Sequence, residues 1–163
     1  MLQYLAIIIK KILAHKDLNK PFSGGLGSYA VVLLILAFIN HKDPNGNLSI
    51  SEMLLEFLDF YGNFFKPEEQ QIAQFLLTGE MFIQTAPNLE HNHVNIIDPL
   101  NMHNNVGKMT YNFQEIQQFF SESHAKLLEC KKKLEEKKPL KTEFIKQVFQ
   151  LQVQPNFPRK QGL

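Results

Sequence analysis

The sequence contains no tryptophan and one cysteine, Cys130. A single thiol excludes an intrachain disulfide and fits a reducing compartment. No sign of charge dominates: 17 Lys and Arg stand against 16 Asp and Glu, a formal net charge of +1. Bulk electrostatics therefore do not announce a nucleic-acid binder, and any RNA contact has to come from local patches such as the lysines of residues 131–138. No apolar run is long enough to cross a bilayer. The longest, Tyr29 to Ile39, falls well short of the about 20 residues a spanning helix needs. No signal peptide is legible either, because the apolar start is short, Lys10 and Lys11 follow it, and no small-residue cleavage site appears. These absences lead us to expect a soluble intracellular protein with no membrane partner.

Several kinds of chemistry are also missing. No Gly-Lys-Ser/Thr follows the glycines at Gly24, Gly25 and Gly27, which excludes a P-loop, and no strand precedes them, which excludes a dinucleotide fingerprint. No nucleophile elbow is present. His91 and His93 flank Asn92, but no cysteine or acid sits at zinc-like spacing, so a solvated loop is expected there. Cys130 lies among lysines, where a lowered thiol pKa is one reading and chance placement the other.

What is present is mostly helical periodicity. Leu2, Leu5, Ile9, Ile12 and Leu13 fall on one face and predict a helix over 2–15. The stretch Asn19 to Tyr29 brings a polar turn with Pro21 and three glycines to the start of an apolar run. A run apolar on every face predicts the buried central helix of the domain. The glycines serve either tight turning and close helix packing or the approach of a phosphate to open helix N–H groups. Asp43-Pro44-Asn45-Gly46-Asn47 predicts a surface turn. Ser49 with Glu52 makes a capping box. It opens a helix to about Phe65, with Met53, Leu54, Phe57, Leu58, Tyr61, Phe64 and Phe65 inward. Pro67-Glu68-Glu69 predicts a further helix ending at Gly79. Met81–Thr85 and His93–Ile97 read as short strands separated by a polar loop, Pro87 to Asn92. Asp98 to Lys108 is an amide-rich loop, suited either to hydrogen bonding a ligand or simply to turning. Asn112 with Glu115 predicts the cap of a long helix to about Lys137, with a charged, solvated second half. Pro139 ends it, a short helix near 142–153 follows, and the tail frays.

Two segments together resemble one family. Lys10, then Leu18-Asn19, Gly24-Gly25-Leu26-Gly27-Ser28-Tyr29 and an apolar helix form the first. Asp98-Pro99, then Asn104-Asn105-Val106-Gly107-Lys108 and a helix form the second. In this order and separation, with Asn47-Leu48 to Gly62 between them, they resemble the central, PAP-associated domain of noncanonical poly(A) RNA polymerases, above all the TRAMP type, within the DNA polymerase beta-like nucleotidyltransferase superfamily. The resemblance covers about Leu2 to Leu128. It implies a mainly α fold with a minor short β element, residues 1–128 as the nucleotide-recognition domain and residues 129–163 as a charged helical extension and tail.

The resemblance also implies roles. Lys10 and Ser28 match triphosphate contacts, Tyr29 the aromatic that stacks on the incoming base, and Asp98, Asn101 and Asn104 the loop that reads the base edge. Asparagine at position 104 resembles the poly(A) branch, where uridylyltransferases often have histidine, and Ala14 agrees with that branch. Ile97 and Lys108 depart from the family, the latter keeping charge but losing the bidentate fork. The region Phe65–Ile83 departs most, being helix-like where the family implies a more extended connection. The implied substrate is ATP. Magnesium or manganese would enter only through a separate catalytic palm domain with a Gly-Ser motif and three carboxylates, and no Asp-x-Asp pair appears in this sequence, so no catalytic or metal-binding residue is expected here. The implied partners are an RNA 3′ end and, in a surveillance complex, an RNA helicase and a zinc-knuckle RNA-binding subunit, in the nucleus. Two functional expectations follow: the nucleotide-binding portion of an RNA adenylyltransferase, inactive without its palm, or a catalytically dead RNA-processing scaffold. The absent palm also predicts exposed apolar surface on the first helix.

Overall fold

A computed structural model describes residues 2–75, 77–86, 89 and 93–136. Helix α1 (Leu2–His15) buries Leu5, Ile9, Ile12 and Leu13, the stripe its periodicity predicts. It leaves Tyr4 and Ile7 exposed on the other side. Helix α2 (Ser28–Lys42) runs through the centre, burying Ala30, Val31, Leu33, Leu34, Ile35, Ala37 and Phe38. At its end Asp43 is buried and accepts hydrogen bonds from the backbone N–H groups of Asn47 (2.7 Å) and Leu48 (2.9 Å). The turn is thus a surface feature with a buried anchor.

Helix α3 (Ile50–Asp59) opens on the expected capping box, with Ser49 and Glu52 satisfying each other's backbone N–H groups. It does not continue as a regular helix. Phe60–Phe64 forms a π-helical turn, closed by the Phe65 N–H on the Phe60 carbonyl at 2.8 Å. The wider turn rotates the chain, so Phe60, Tyr61 and Phe65 are buried while Phe64 is 64% exposed. The sequence expectation of an inward Phe64 is corrected by this one local unwinding. Two facts account for it. Gly62 faces α4 (Phe113–Glu135) so closely that a Cβ there would lie 2.6 Å from the Ser121 nitrogen. Gln117 of α4 donates to the carbonyls of Tyr61 (3.1 Å) and Phe65 (2.8 Å), acceptors that an unwound turn leaves open. Around this crossing Phe38, Phe57, Tyr61, Phe65, Phe113 and Phe120 form one aromatic cluster, with Phe57 and Tyr61 ring centres 4.8 Å apart. The Tyr61 hydroxyl is buried and donates to the Leu34 carbonyl at 2.8 Å.

The remaining elements form a four-stranded sheet in the order β2-β1-β3-β4. Strands β1 (Gln70–Gln74) and β2 (Met81–Thr85) pair antiparallel, from Gln70 with Thr85 to Gln74 with Met81. Strand β3 (Asn95–Asp98) joins β1 in parallel, with Ile72 beside Ile96. It then turns back antiparallel into β4 (Asn101–Asn105). Ile72, Met81 and Ile96 are buried in the common core, and Asn40 on α2 donates to the Met81 carbonyl at 2.8 Å.

The β1 strand overturns the helix predicted over Pro67–Gly79. Glutamine favours helix locally, but backbone pairing with both β2 and β3 outweighs that preference and buries Ile72 and Ala73. The extended connection implied by the family resemblance is the one found. The strand expected at His93–Ile97 begins two residues later, and the loop expected from Asp98 is a hairpin. Helix α4 begins as expected, but Asn112 makes no side-chain cap and reaches elsewhere. The polar loop at 87–92 lies outside the described residues except for Leu89. The helix expected near 142–153 and the frayed tail also lie outside them.

Candidate nucleotide-binding site

The glycine loop is held from two sides. The Leu26 N–H donates to the Leu18 carbonyl at 2.8 Å, and a Cβ on Gly25 would lie 2.4 Å from that same oxygen. From the other side, Asn112 donates through its side chain to the Ser23 carbonyl (3.0 Å) and through its backbone to the Gly24 carbonyl (3.2 Å). Tyr111 donates to the Phe22 carbonyl at 3.3 Å and its ring occupies the space a Gly24 side chain would need. Gly24 and Gly25 thus serve close packing, the plainer of the two readings of this loop. Gly27 caps α2 in extended conformation without any side chain over the first turn, so the first N–H groups of the central helix remain open.

The hairpin meets α2 at one carboxylate. Tyr29 donates from its hydroxyl to Asp98 Oδ1 at 3.0 Å, and Asn104 Nδ2 donates to Asp98 Oδ2 at 3.0 Å. The Leu100 N–H adds a third donor to Oδ1 at 3.0 Å. These donors hold the Asp98 carboxyl below its ordinary range, the Leu100 backbone bond most and then Asn104, with partial burial opposing and Tyr29 helping. Burial, followed by the bond to Asp98 and its charge, pushes the Tyr29 phenol up. Tyr29 is 44% exposed, so its hydroxyl is fixed while its ring faces outward. A concavity of about 350 Å³ opens beside Asp98, lined by Gln71, Gln84, Ile97 and Met102 among others.

Three of the six residues singled out from the sequence are therefore in direct contact: Tyr29, Asp98 and Asn104. Ser28 is exposed beside Tyr29 at the start of α2. Asn101 is exposed at the hairpin turn and accepts from the His103 N–H at 3.2 Å. Lys10 is exposed on α1, and no hydrogen bond joins it to the cluster. The sequence reading missed Asn105. Its Oδ1 accepts from the N–H groups of Ile96 (2.9 Å) and Gly107 (2.9 Å), and its Nδ2 donates to Asn95. Asn105 fixes the far end of the hairpin, and no spacing rule distinguishes it from its neighbour Asn104. At Cys130 the lowered-pKa reading is not the one found: burial and Glu129 push its thiol up, against the opposing pull of Lys133. Among the described residues no group of three or more His, Cys, Asp or Glu is placed to hold a metal ion. Nor is any described helix long and apolar enough to cross a membrane.

A helical body carrying a small mixed sheet is a known fold. The structure is similar to a chain from the polymerase core of TRAMP, an RNA surveillance complex, with a TM-score of 0.68 and 21% identity over 78% of this chain and 43% of that one. No family model matches the chain. By sequence it is 29% identical over 145 residues to the poly(A) RNA polymerase gld-4 of Caenorhabditis elegans, covering 78% of this chain and 17% of that protein. It is 32% identical over 130 residues to the poly(A) RNA polymerase cid14 of Schizosaccharomyces pombe, covering 74% of this chain and 19% of that one. The inactive noncanonical poly(A) RNA polymerase protein Trf4-2 of Drosophila melanogaster is 28% identical over 135 residues, covering 76% of this chain and 33% of that one. The chain is homologous to noncanonical poly(A) RNA polymerases. It spans between about a sixth and a third of the length of these three relatives.

Proposed function

We propose that this chain is the nucleotide-recognition part, the PAP-associated central domain, of a template-independent RNA adenylyltransferase. The observation that carries the proposal is the shared Asp98 carboxylate, which ties Tyr29 of the central helix to Asn104 of the hairpin. With its hydroxyl fixed, the Tyr29 ring is a pre-set surface on which a base can stack. Asn104 spends one N–H on Asp98, and its carbonyl oxygen is suited to accept from the exocyclic amine of adenine. The uncapped first turn of α2 with Ser28, and Lys10 on α1, are suited to phosphates. ATP is the proposed substrate and an RNA 3′ end its acceptor. The described residues offer no ligand set that fits magnesium or manganese. Their part is to bind and orient the nucleotide, and metal-assisted transfer falls to a palm outside this stretch. Residence in a nuclear surveillance complex, with a helicase and a zinc-knuckle subunit, is the wider setting we propose.

A second reading, a binding module without catalysis, is favoured by one relative's being named inactive. Titration calorimetry with ATP and UTP tests both. ATP-preferring binding that Tyr29→Ala abolishes supports the nucleotide-recognition reading. A folded chain that binds neither nucleotide overturns it and leaves the binding-module reading.

A further inference from the structure

Two exposed aromatic residues are brought together at the glycine loop. Phe22 lies in the single helical turn Pro21–Ser23 and is 77% exposed. Its backbone is nonetheless fixed, because the N–H groups of Gly24 and Gly25 close the turn on the carbonyls of Pro21 (3.0 Å) and Lys20 (2.9 Å). Tyr111 is half exposed. It too is fixed: its hydroxyl donates to the Phe22 carbonyl at 3.3 Å, and one edge of its ring lies against Gly24. A Cβ on Gly27 would lie 3.1 Å from the Pro21 ring, so the turn that carries Phe22 sits against the cap of α2, two residues before Tyr29. Neither Phe22 nor Tyr111 belongs to the buried core. Aromatic side chains on backbone that the fold has already fixed lose little freedom when a ligand stacks on them.

The charge pattern points to what covers them. The chain holds 16 Asp and Glu, yet residues 18–29 and 99–114, the two stretches joined here, contain none. Their lysines are Lys20, which Asp17 holds at 2.6 Å, and Lys108, exposed in the turn that leads to Tyr111. Aromatic rings beside a cation, on stretches cleared of carboxylates, suit a single-stranded nucleic acid: the rings take bases of any sequence and the cation a phosphate. We propose that Phe22 and Tyr111 form a stacking platform for an unpaired base of the acceptor RNA, with Lys108 drawing its backbone. Tyr29 takes the incoming base, so the two aromatic positions separate the donor nucleotide from the acceptor strand at the head of α2. Only the choice of RNA as the strand rests on the function proposed above.

Fluorescence anisotropy of a dye-labelled oligo(A) RNA with the intact chain tests the platform, alongside ATP titration of the same variants. Phe22→Ala removes a mostly exposed side chain, so the fold is kept. It is expected to weaken RNA binding about tenfold and to leave ATP binding unchanged. Tyr111→Ala is expected to weaken RNA binding likewise, while Tyr111→Phe, which keeps the ring, binds RNA as the native chain does. Lys108→Gln is expected to lower the slope of log affinity against log salt by about 0.7. The same RNA annealed to oligo(U), its bases already paired, is expected to bind more weakly than the single strand. RNA affinity that Phe22→Ala leaves unchanged, or equal binding of duplex and single strand, would overturn the platform. So would a folded chain that binds no RNA, whether or not it binds ATP. RNA binding that depends on Phe22 in a chain that binds no ATP would keep the platform and overturn the nucleotide-recognition reading alone.

Discussion

The helical body and the hairpin that meets it are stabilised by different physics. Around Gly62 the body is closed by large apolar side chains, and most of its stability comes from area removed from water. The hairpin of β3 and β4 buries little beyond Ile96: every residue of β4 except Asn105 is exposed. Its shape is specified by side-chain amides and one carboxylate acting on nearby backbone. A surface held this way keeps its geometry while leaving polar groups within reach of a ligand, which a packed core cannot do.

Four measurements sharpen or break this contrast. The largest effect belongs to the body. Phe57→Ala, at the centre of the aromatic cluster and fully buried, is expected to cost about 3–5 kcal/mol in denaturant unfolding. A loss under about 1 kcal/mol would show that burial around Gly62 is not what holds the body. Gly62→Ala drives a Cβ into the backbone of α4 and is expected to cost about 2–3 kcal/mol. Full stability in that variant would mean the π turn is not fixed by the close approach.

The hairpin should respond without the body. Asp98→Asn is expected to leave the unfolding midpoint nearly unchanged while amide exchange across residues 98–105 quickens and ATP binding weakens severalfold. A large midpoint shift would mean the hairpin is part of the same cooperative unit. The smallest effect is that of acid. The folded chain lowers the Asp98 pKa below the ordinary 3.8, so the contribution of its bonds is complete above that value. It is lost as pH falls through the lower, folded pKa. The Asn104 side-chain amide resonance should therefore hold steady down to about pH 4 and move only below it. Movement nearer neutrality would contradict a carboxylate favoured in its charged form.

The same contrast explains what the sequence made legible. Helices α1 and α2 were readable because their burial repeats locally, and the capping box because its two partners lie three residues apart. The π turn was not, since nothing near Phe60 announces that α4 will cross at Gly62. Strand β1 was misread because a glutamine-rich segment carries a helical preference until distant partners pair with it. At the site, Tyr29, Asp98 and Asn104 came from a family resemblance, not from spacing, and the bonds that join them were invisible in the sequence. Asn112 was identified as a cap and instead clasps the glycine loop.

That clasp has a consequence for the order of assembly. The bonds from Tyr111 to Phe22 and from Asn112 to Ser23 each join residues 89 apart in sequence, and the bond from Tyr29 to Asp98 spans 69. A chain emerging from the ribosome N-terminus first can gather α1, α2 and α3 from residues already made. It cannot fasten the glycine loop until residue 112 has appeared, nor fix the Tyr29 hydroxyl until residue 98 has. The surface proposed for the nucleotide is thus among the last parts to be set, and a nascent or truncated chain would carry its helices without that proposed grip.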